Sequence, residues 1–458
     1  MSAEFKKENL KIAYIGGGSR GWAWGLMADL AMEECLGGTI RLYDIDKEAA
    51  MHNAVIGNRL SARTDAVGKW EYLVADSLQE ALEGSDFVVI SVLPGTFDEM
   101  ESDVHAPEKY GIYQSVGDTV GPGGIVRALR TIPIFVEIAE AVKAYAPDAW
   151  VINYTNPMTV CVRTLYEVFP QIKAVGCCHE VFGTQNLLAI ALKEVCGIEG
   201  VKRQEIKTNV LGINHFTWID QATYRDMDLF PVYAKFVERY AETGYSEKSD
   251  NNWMNNFFAS ADMVKMDLFK RYGLIAAAGD RHLAEFVPGW YLKDPETVRS
   301  WKFSLTPVSW RKEDLQRRLE RSRRLVAGEE EVSLNRTGEE GVLLMKALLG
   351  MGDMVTNVNI PNRGQITNLP LGVVVETNAW FTGDQVRPVY AGALPEDVLH
   401  LVIRHVTNQE GILKACLKKD QNMAFNVFMN DPLMRIGVEE GRELFDTMLK
   451  NTEKYCCL

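Results

Sequence analysis

Positive charge is in short supply in this 458-residue chain: 49 Lys and Arg stand against 62 Asp and Glu, a formal net charge of −13. A phosphate backbone or an acidic membrane meets net repulsion from such a surface, so general nucleic-acid or anionic-lipid binding is excluded, while a local basic pocket for a small anion is not. Long apolar runs are missing too. None approaches the roughly 20 residues that span a bilayer, and the opening Met1-Ser-Ala-Glu-Phe-Lys-Lys-Glu has no apolar segment of the secretory kind. The expectation is a cytoplasmic protein with neither membrane nor nucleic acid as partner. Eight cysteines include the vicinal pairs Cys177-Cys178 and Cys456-Cys457 but no C-x-x-C spacing, which argues against a structural zinc ribbon and a disulfide framework and for free thiols. Internal repeats, low-complexity tracts and flexible linkers are also absent.

What is present suffices for two substantial cores: 47% hydrophobic and 24% charged residues, the balance of an ordinary globular chain. The strand-like Lys11–Ile15 runs straight into Gly16-Gly17-Gly18-Ser19-Arg20-Gly21 and the helix-like Trp22–Met32, with Ile40–Asp44 as the next strand. This is G-x-G-x-x-G between a strand and a helix, where Gly16 permits the tight turn, Gly18 lets backbone approach a pyrophosphate and Gly21 allows close helix packing. Asp44, ending the following strand, is placed for the ribose hydroxyls of NAD and against the extra phosphate of NADP. The alternative is a plain structural corner. Asp86–Leu93 reads as a strand buried on both faces. The pattern predicts an α/β fold, a Rossmann-type doubly wound parallel sheet over residues 1–200, followed by an α+β domain over 201–458 for substrate, metal and oligomer contacts, packed directly on the first. Aromatic stretches such as Trp253–Phe258 read as core or subunit interface.

Chemistry-bearing residues gather at the predicted strand ends. Gly176-Cys177-Cys178-His179-Glu180-Val181 sits between Ala174-Val175 and the helix-like Phe182–Val195, a turn where open α/β folds place ligands. His215 follows the apolar Val210-Leu-Gly-Ile and could join Cys178 in an open, catalytic metal site, although each taken singly is more often a buried packing residue. Asp118, in the glycine-rich stretch Gly117–Gly124, is a candidate substrate contact or else part of an ordinary connector. Asn156, before Pro157, points off a strand tip toward nicotinamide and substrate, or closes an Asx-turn.

These residues resemble the NAD- and metal-dependent family 4 glycoside hydrolases, relatives of lactate and malate dehydrogenases. The match runs through Ile12–Gly21, Leu42–Asp46, Asn153–Pro157, Ala174–Val181, Gly212–His215, Asn357–Asn362 and Val374–Glu376. Cys178-His-Glu-Val181 is similar to the variant found in the family's α-galacturonidases. The resemblance implies hydrolysis of α-linked galacturonate from small oligogalacturonides or glycosides. NAD+ would oxidise C3, a base would remove the acidified C2 proton, the leaving group would depart by elimination, and water addition and re-reduction would follow. Mn2+ or another divalent metal on Cys178 and His215 would stabilise the intermediate.

By the same resemblance His179 occupies the proton donor's position, with Asp118 as the alternative acid. Asp280, in Gly279-Asp-Arg-His282, matches the base, with His282 second. Otherwise Asp280 caps the helix that contains Leu283 and Phe286. A uronate substrate requires a cation, for which Arg281 and Arg363 are candidates unless they are simply solvated. A homodimer or homotetramer is expected. A family 4 glycosidase of another sugar specificity, an NAD-dependent hydroxy-acid dehydrogenase and a non-enzymatic NAD or redox sensor are the rival readings.

Overall fold

The computed structural model describes residues 6–245, 260–456 and 458; the aromatic stretch Trp253–Phe258 lies outside them. Two sheets organise the chain. The larger begins with six parallel strands, β1 (Lys7–Ile15), β2 (Leu36–Tyr43), β3 (Lys69–Val74), β4 (Phe87–Ile90), β5 (Trp150–Asn153) and β6 (Lys173–Gly176), in the spatial order 3-2-1-4-5-6 of a doubly wound dinucleotide fold. All four residues of β4 are buried, because helices cover both faces of the sheet and leave only Phe, Val and Ile tolerable there.

The smaller sheet holds β7 (Ile206–Ile213), β8 (Phe216–Tyr224), β9 (Met227–Asp228) and β10 (Ile275–Ala276), all antiparallel to their neighbours. The last three strands, β11 (Met354–Pro361), β12 (Val374–Thr382) and β13 (Gln385–Pro388), return to the first sheet. There β11 pairs antiparallel with β6 through Asn359 and Gly176, giving nine strands in all. Residues 354–388 therefore extend the cofactor-type sheet past the Cys178 turn. A boundary near residue 200 divides chain order but not sheets.

A long helix begins inside the glycine-rich stretch itself. It spans Gly121–Tyr145, with Pro122 in its first turn, where no amide is needed. Gln114 Oε1 accepts from the Gly123 amide at 2.9 Å and Asp431 Oδ2 from Gly121 at 3.0 Å. On the same helix Arg130 forks onto the carboxylate of Asp103, both side chains fully buried; removing one member would cost about 3–5 kcal/mol. This pair ties the segment after β4 to the helix that leads out of the Asp118 loop. No helix of the described residues is long and apolar enough to cross a membrane.

Candidate active site

The glycine turn is held from both sides. Gly16 has φ +90°, and a Cβ there would meet the Ser91 carbonyl oxygen at 2.0 Å. At Gly18 a Cβ would meet Ala49 Cβ at 2.6 Å and Asp44 Oδ2 at 2.8 Å, while its amide donates to that same oxygen at 2.8 Å. Asp44 Oδ1 accepts from the Asp46 amide at 2.9 Å. Each carboxylate oxygen thus keeps a lone pair for a ribose hydroxyl, and burial pushes the carboxyl pKa up. Asn53 anchors the loop through the Gly17 and Ser19 carbonyls. A Cβ at Gly21 would meet the Arg318 guanidinium at 2.4 Å, so the close neighbour expected at this position is an arginine.

Four segments converge beyond the carboxyl ends of β4 to β6: the loop carrying Asp118, the turn after β6, the β7–β8 turn and the helix Asp280–Phe286. Asp118, His215 and His282 bring their ligand atoms within 4.8 Å of one another. Hydrogen bonds assign the tautomers. Thr119 Oγ1 spends its proton on Asp118 Oδ1 at 2.7 Å, so at 3.1 Å it accepts from His215 Nδ1–H. That leaves His215 Nε2 bare. Burial first, and the charge of His282 second, pull His215 down to about 3, so it stays neutral as a ligand must.

His282 Nδ1 lies 3.0 Å from Glu180 Oε1, and its buried Nε2 has no hydrogen-bond partner. Burial opposes its charge, but Glu180 and Asp118 outweigh that and raise its pKa. Glu180 Oε2 in turn accepts from the Gly279 amide at 2.6 Å. Asp118 would be raised by burial; the charges of His282 and Arg127 instead hold it far below the usual carboxylate range, so it is a carboxylate.

Cys178 is buried and stands outside that triad. Asn214, the residue before His215, hydrogen-bonds its thiol and donates to Glu376 Oε2 at 3.0 Å. Asn357 donates to Glu376 Oε1 at 2.7 Å and to the Cys178 carbonyl at 3.5 Å. Burial, then the charges of Glu376 and Glu180, keep the thiol protonated in the absence of a cation. His179 is half-exposed at the start of the helix Glu180–Cys196, its Nδ1 3.1 Å from Glu339 Oε1. That hydrogen bond raises its pKa.

Several residues do not stand where the sequence suggested. Asp280 accepts from the Val264 and Lys265 amides at 3.2 and 3.0 Å. Its carboxyl, raised by burial and by Asp262, caps the helix Met263–Tyr272, whose N-cap residue Asp262 makes no side-chain cap of its own, and is spent there on backbone amides. Arg281 joins the Ser115 and Ser304 carbonyls and Thr306 Oγ1. Arg363 is exposed. Asn156 does enter the site, donating to Asp118 Oδ2 at 3.2 Å with its Oδ1 buried and unpartnered. Thr119, Arg127 and Glu285, whose Oε1 accepts from the Val116 and Gly117 amides beside Asp118, were missed, while Glu180 and Glu376 stood in the quoted motifs without an assigned role. Glu285 lies one helical turn beyond His282, and Glu180 stands inside the Cys-His-Glu run, so spacing alone could have flagged both.

Comparison with known proteins follows this geometry. The profile of the family 4 glycosyl hydrolases matches residues 11–194, and that of the family's C-terminal domain matches residues 210–434. An α-galacturonidase of Thermoanaerobacterium saccharolyticum is 67% identical over 451 residues, 98% of this chain and 97% of its own. The crystal structure of the Bacillus subtilis protein LplD, described as a glucosidase, superposes with a TM-score of 0.92 at 54% identity, covering 97% of this chain and 100% of that one. A 6-phospho-α-glucosidase from gut microorganisms, solved with NAD and Mn2+, shares the fold at 19% identity and a TM-score of 0.80, over 98% and 99% of the two chains.

Proposed function

The chain belongs to the family 4 glycosyl hydrolases, and we propose that it is an α-galacturonidase that releases α-linked galacturonate from small glycosides with the help of NAD+ and a divalent metal. The observation that carries this reading is the convergence, beside the buried Cys178, of a neutral His215, an ionised Asp118 and a His282 with one bare nitrogen. The 67% identity to an enzyme named α-galacturonidase supports the choice of sugar.

The residues present fit both cofactors. Gly16, Gly18 and Asp44 form a cradle that a Cβ would fill. His215 Nε2 and the Asp118 carboxylate stand in one cluster, and the buried Cys178 sulfur, held by Asn214 next to His215, would add a sulfur donor for Mn2+ or a similar ion. When bound, NAD+ supplies reversible oxidation at the sugar C3, and the metal polarises the neighbouring oxygens.

The chain's own side chains handle the protons. We assign the base to His282 in place of Asp280. Glu180 holds its Nδ1–H, which aims the unpartnered Nε2 into the cluster; with a divalent cation on His215 to offset the pull of Glu180 and Asp118 on its proton, Nε2 is left free to take the C2 proton. His179, whose pKa the hydrogen bond to Glu339 raises, gives a proton from Nε2 to the leaving oxygen. Asn156 orients substrate from beside Asp118. Residues 1–200 chiefly serve the cofactor and 201–458 the substrate and metal. A cytoplasmic homodimer or homotetramer completes the proposal, and light scattering tests the assembly.

The test is release of the aryl group from an aryl α-galacturonide under reducing conditions, with and without NAD+ and Mn2+, against the matching α-galactoside and α-glucoside. Cleavage of the uronide alone, dependent on both additions and without net NADH, is expected, and hydrolysis in D2O should place deuterium at C2 of the product. Preference for a neutral sugar overturns the substrate. Stoichiometric NADH from a free hydroxy acid overturns the hydrolase.

A further inference from the structure

Arg127 lies on the second turn of the helix Gly121–Tyr145, 5% exposed, and no motif singled it out. Its Nε donates to the Asn156 carbonyl at 3.2 Å, while its buried Nη1 has no hydrogen-bond partner. A buried guanidinium without a matching carboxylate is costly. The nearby carboxylates are spent: Asp103 is forked by Arg130, and Asp118 accepts from Thr119 and Asn156 and faces His282.

The unpartnered atoms cluster. Arg127 Nη1 and Asn156 Oδ1 belong to residues joined by a hydrogen bond, and Asn156 is joined in turn to Asp118, which faces the bare His282 Nε2. A missing ligand must therefore offer an anionic or strongly accepting oxygen to Arg127 and hydroxyl-type groups to Asn156 and His282. Arg311, from the helix Val308–Ala327, adds positive charge to the same surroundings, since Asp118 and Arg127 both shift its pKa.

We infer that Arg127 is the cation that receives the carboxylate of the substrate, taking the role that the sequence offered to Arg281, which is spent on the Ser304 and Ser115 carbonyls, and to Arg363, which is exposed. This rests on the uronide reading above. It makes Arg127 a specificity-determining residue: a free uronate satisfies Nη1, and an ester or a neutral hexose leaves the charge without its anion.

Isothermal titration of the enzyme loaded with NAD+ and Mn2+ tests this, with galacturonate and its methyl ester as the two probes. The wild type is expected to bind the acid more tightly than the ester. In R127Q the acid should lose about tenfold or more in affinity, the loss of a charge-assisted bond, while the ester changes far less and NAD+ affinity and Tm hold. R127K, whose ammonium lacks the planar fork, should fall between; it also decides the matter by the same ratio if R127Q does not fold. An acid-to-ester ratio that survives in both variants overturns the assignment, as does an equal loss for both probes. A wild type that does not distinguish acid from ester instead overturns the uronide reading itself.

Discussion

His282 lies flat on His215, ring centroids 4.0 Å apart and planes 17° from parallel. Two imidazolium rings cannot share that stack in a buried site, and the surrounding hydrogen bonds decide which ring yields. Glu180 sits on Nδ1 of His282 and favours its charge; a hydroxyl that has already spent its proton sits on His215, and burial drives that ring neutral. One ring is thereby suited to ligate a cation and the other to handle protons.

Replacing His282 by Phe keeps a ring over His215 and removes both nitrogens. Turnover of the aryl uronide should fall by about 10²–10⁴-fold, the usual worth of a positioned base, with deuterium incorporation at C2 falling in parallel. Steady-state rates and product NMR in D2O check this; a variant with near-normal rates would remove His282 from the base role.

Glu376 touches no candidate ligand directly, yet its two oxygens hold Asn214 and Asn357, which in turn hold Cys178. In E376Q one acceptor becomes an amide facing an amide. Mn2+ affinity, read by electron paramagnetic resonance of the free ion, should weaken about ten- to a hundredfold as for other outer-sphere changes, while NAD+ affinity stays put. Unaltered Mn2+ binding would show that the network only packs.

Gly18→Ala drives a methyl toward Asp44 Oδ2 and Ala49 Cβ, both within 2.8 Å of the new Cβ position. Overpacking of this order costs about 1–3 kcal/mol, here at the carboxylate that meets the ribose. NADH fluorescence titration should show cofactor affinity down roughly five- to a hundredfold, with Mn2+ binding spared.

His405 supplies a pH dependence away from the active site. It is 1% exposed, its Nε2 lies 2.7 Å from the Phe286 carbonyl oxygen, and burial pulls its pKa from 6.5 down to about 4. The unfolded chain binds a proton that the fold refuses, so this contribution is complete above about pH 6.5 and is lost as pH falls through 4, by about 3 kcal/mol. Urea unfolding at pH 7, 5.5 and 4 should show H405Q losing that much less stability than the wild type over the interval; parallel losses in the two proteins would clear His405 of the effect.

The parts legible from the sequence were those set by neighbours along the chain. A strand, a tight glycine turn and a helix within a few residues of one another announce the cofactor cradle, since the backbone freedom of Gly16 and the reach of Asp44 are local properties of turn and strand end. The Cys178-His179-Glu180 turn was legible for the same reason: an apolar strand ends and a helix begins around it.

Direction and pairing were not. Asp280 and His282 are two residues apart on one short helix, and on its surface they face different ways. Only the docking of the helix Met263–Tyr272 turns the first into a cap, and only Glu180, from the turn after β6, claims the second. Arg127 reads as one more basic residue until the helix Gly121–Tyr145 buries it beside Asn156.

The chain by itself thus determined the doubly wound sheet, the glycine cradle with its acidic partner, and the turn that carries a thiol, an imidazole and a carboxylate, all of them written in short-range periodicity and turn chemistry. Tertiary structure alone decided which imidazole stays neutral, which carboxylate is spent on backbone amides, and which guanidinium is left facing the site. Those outcomes depend on burial and on partners distant in sequence, and neither exists until the sheets and helices have closed around them.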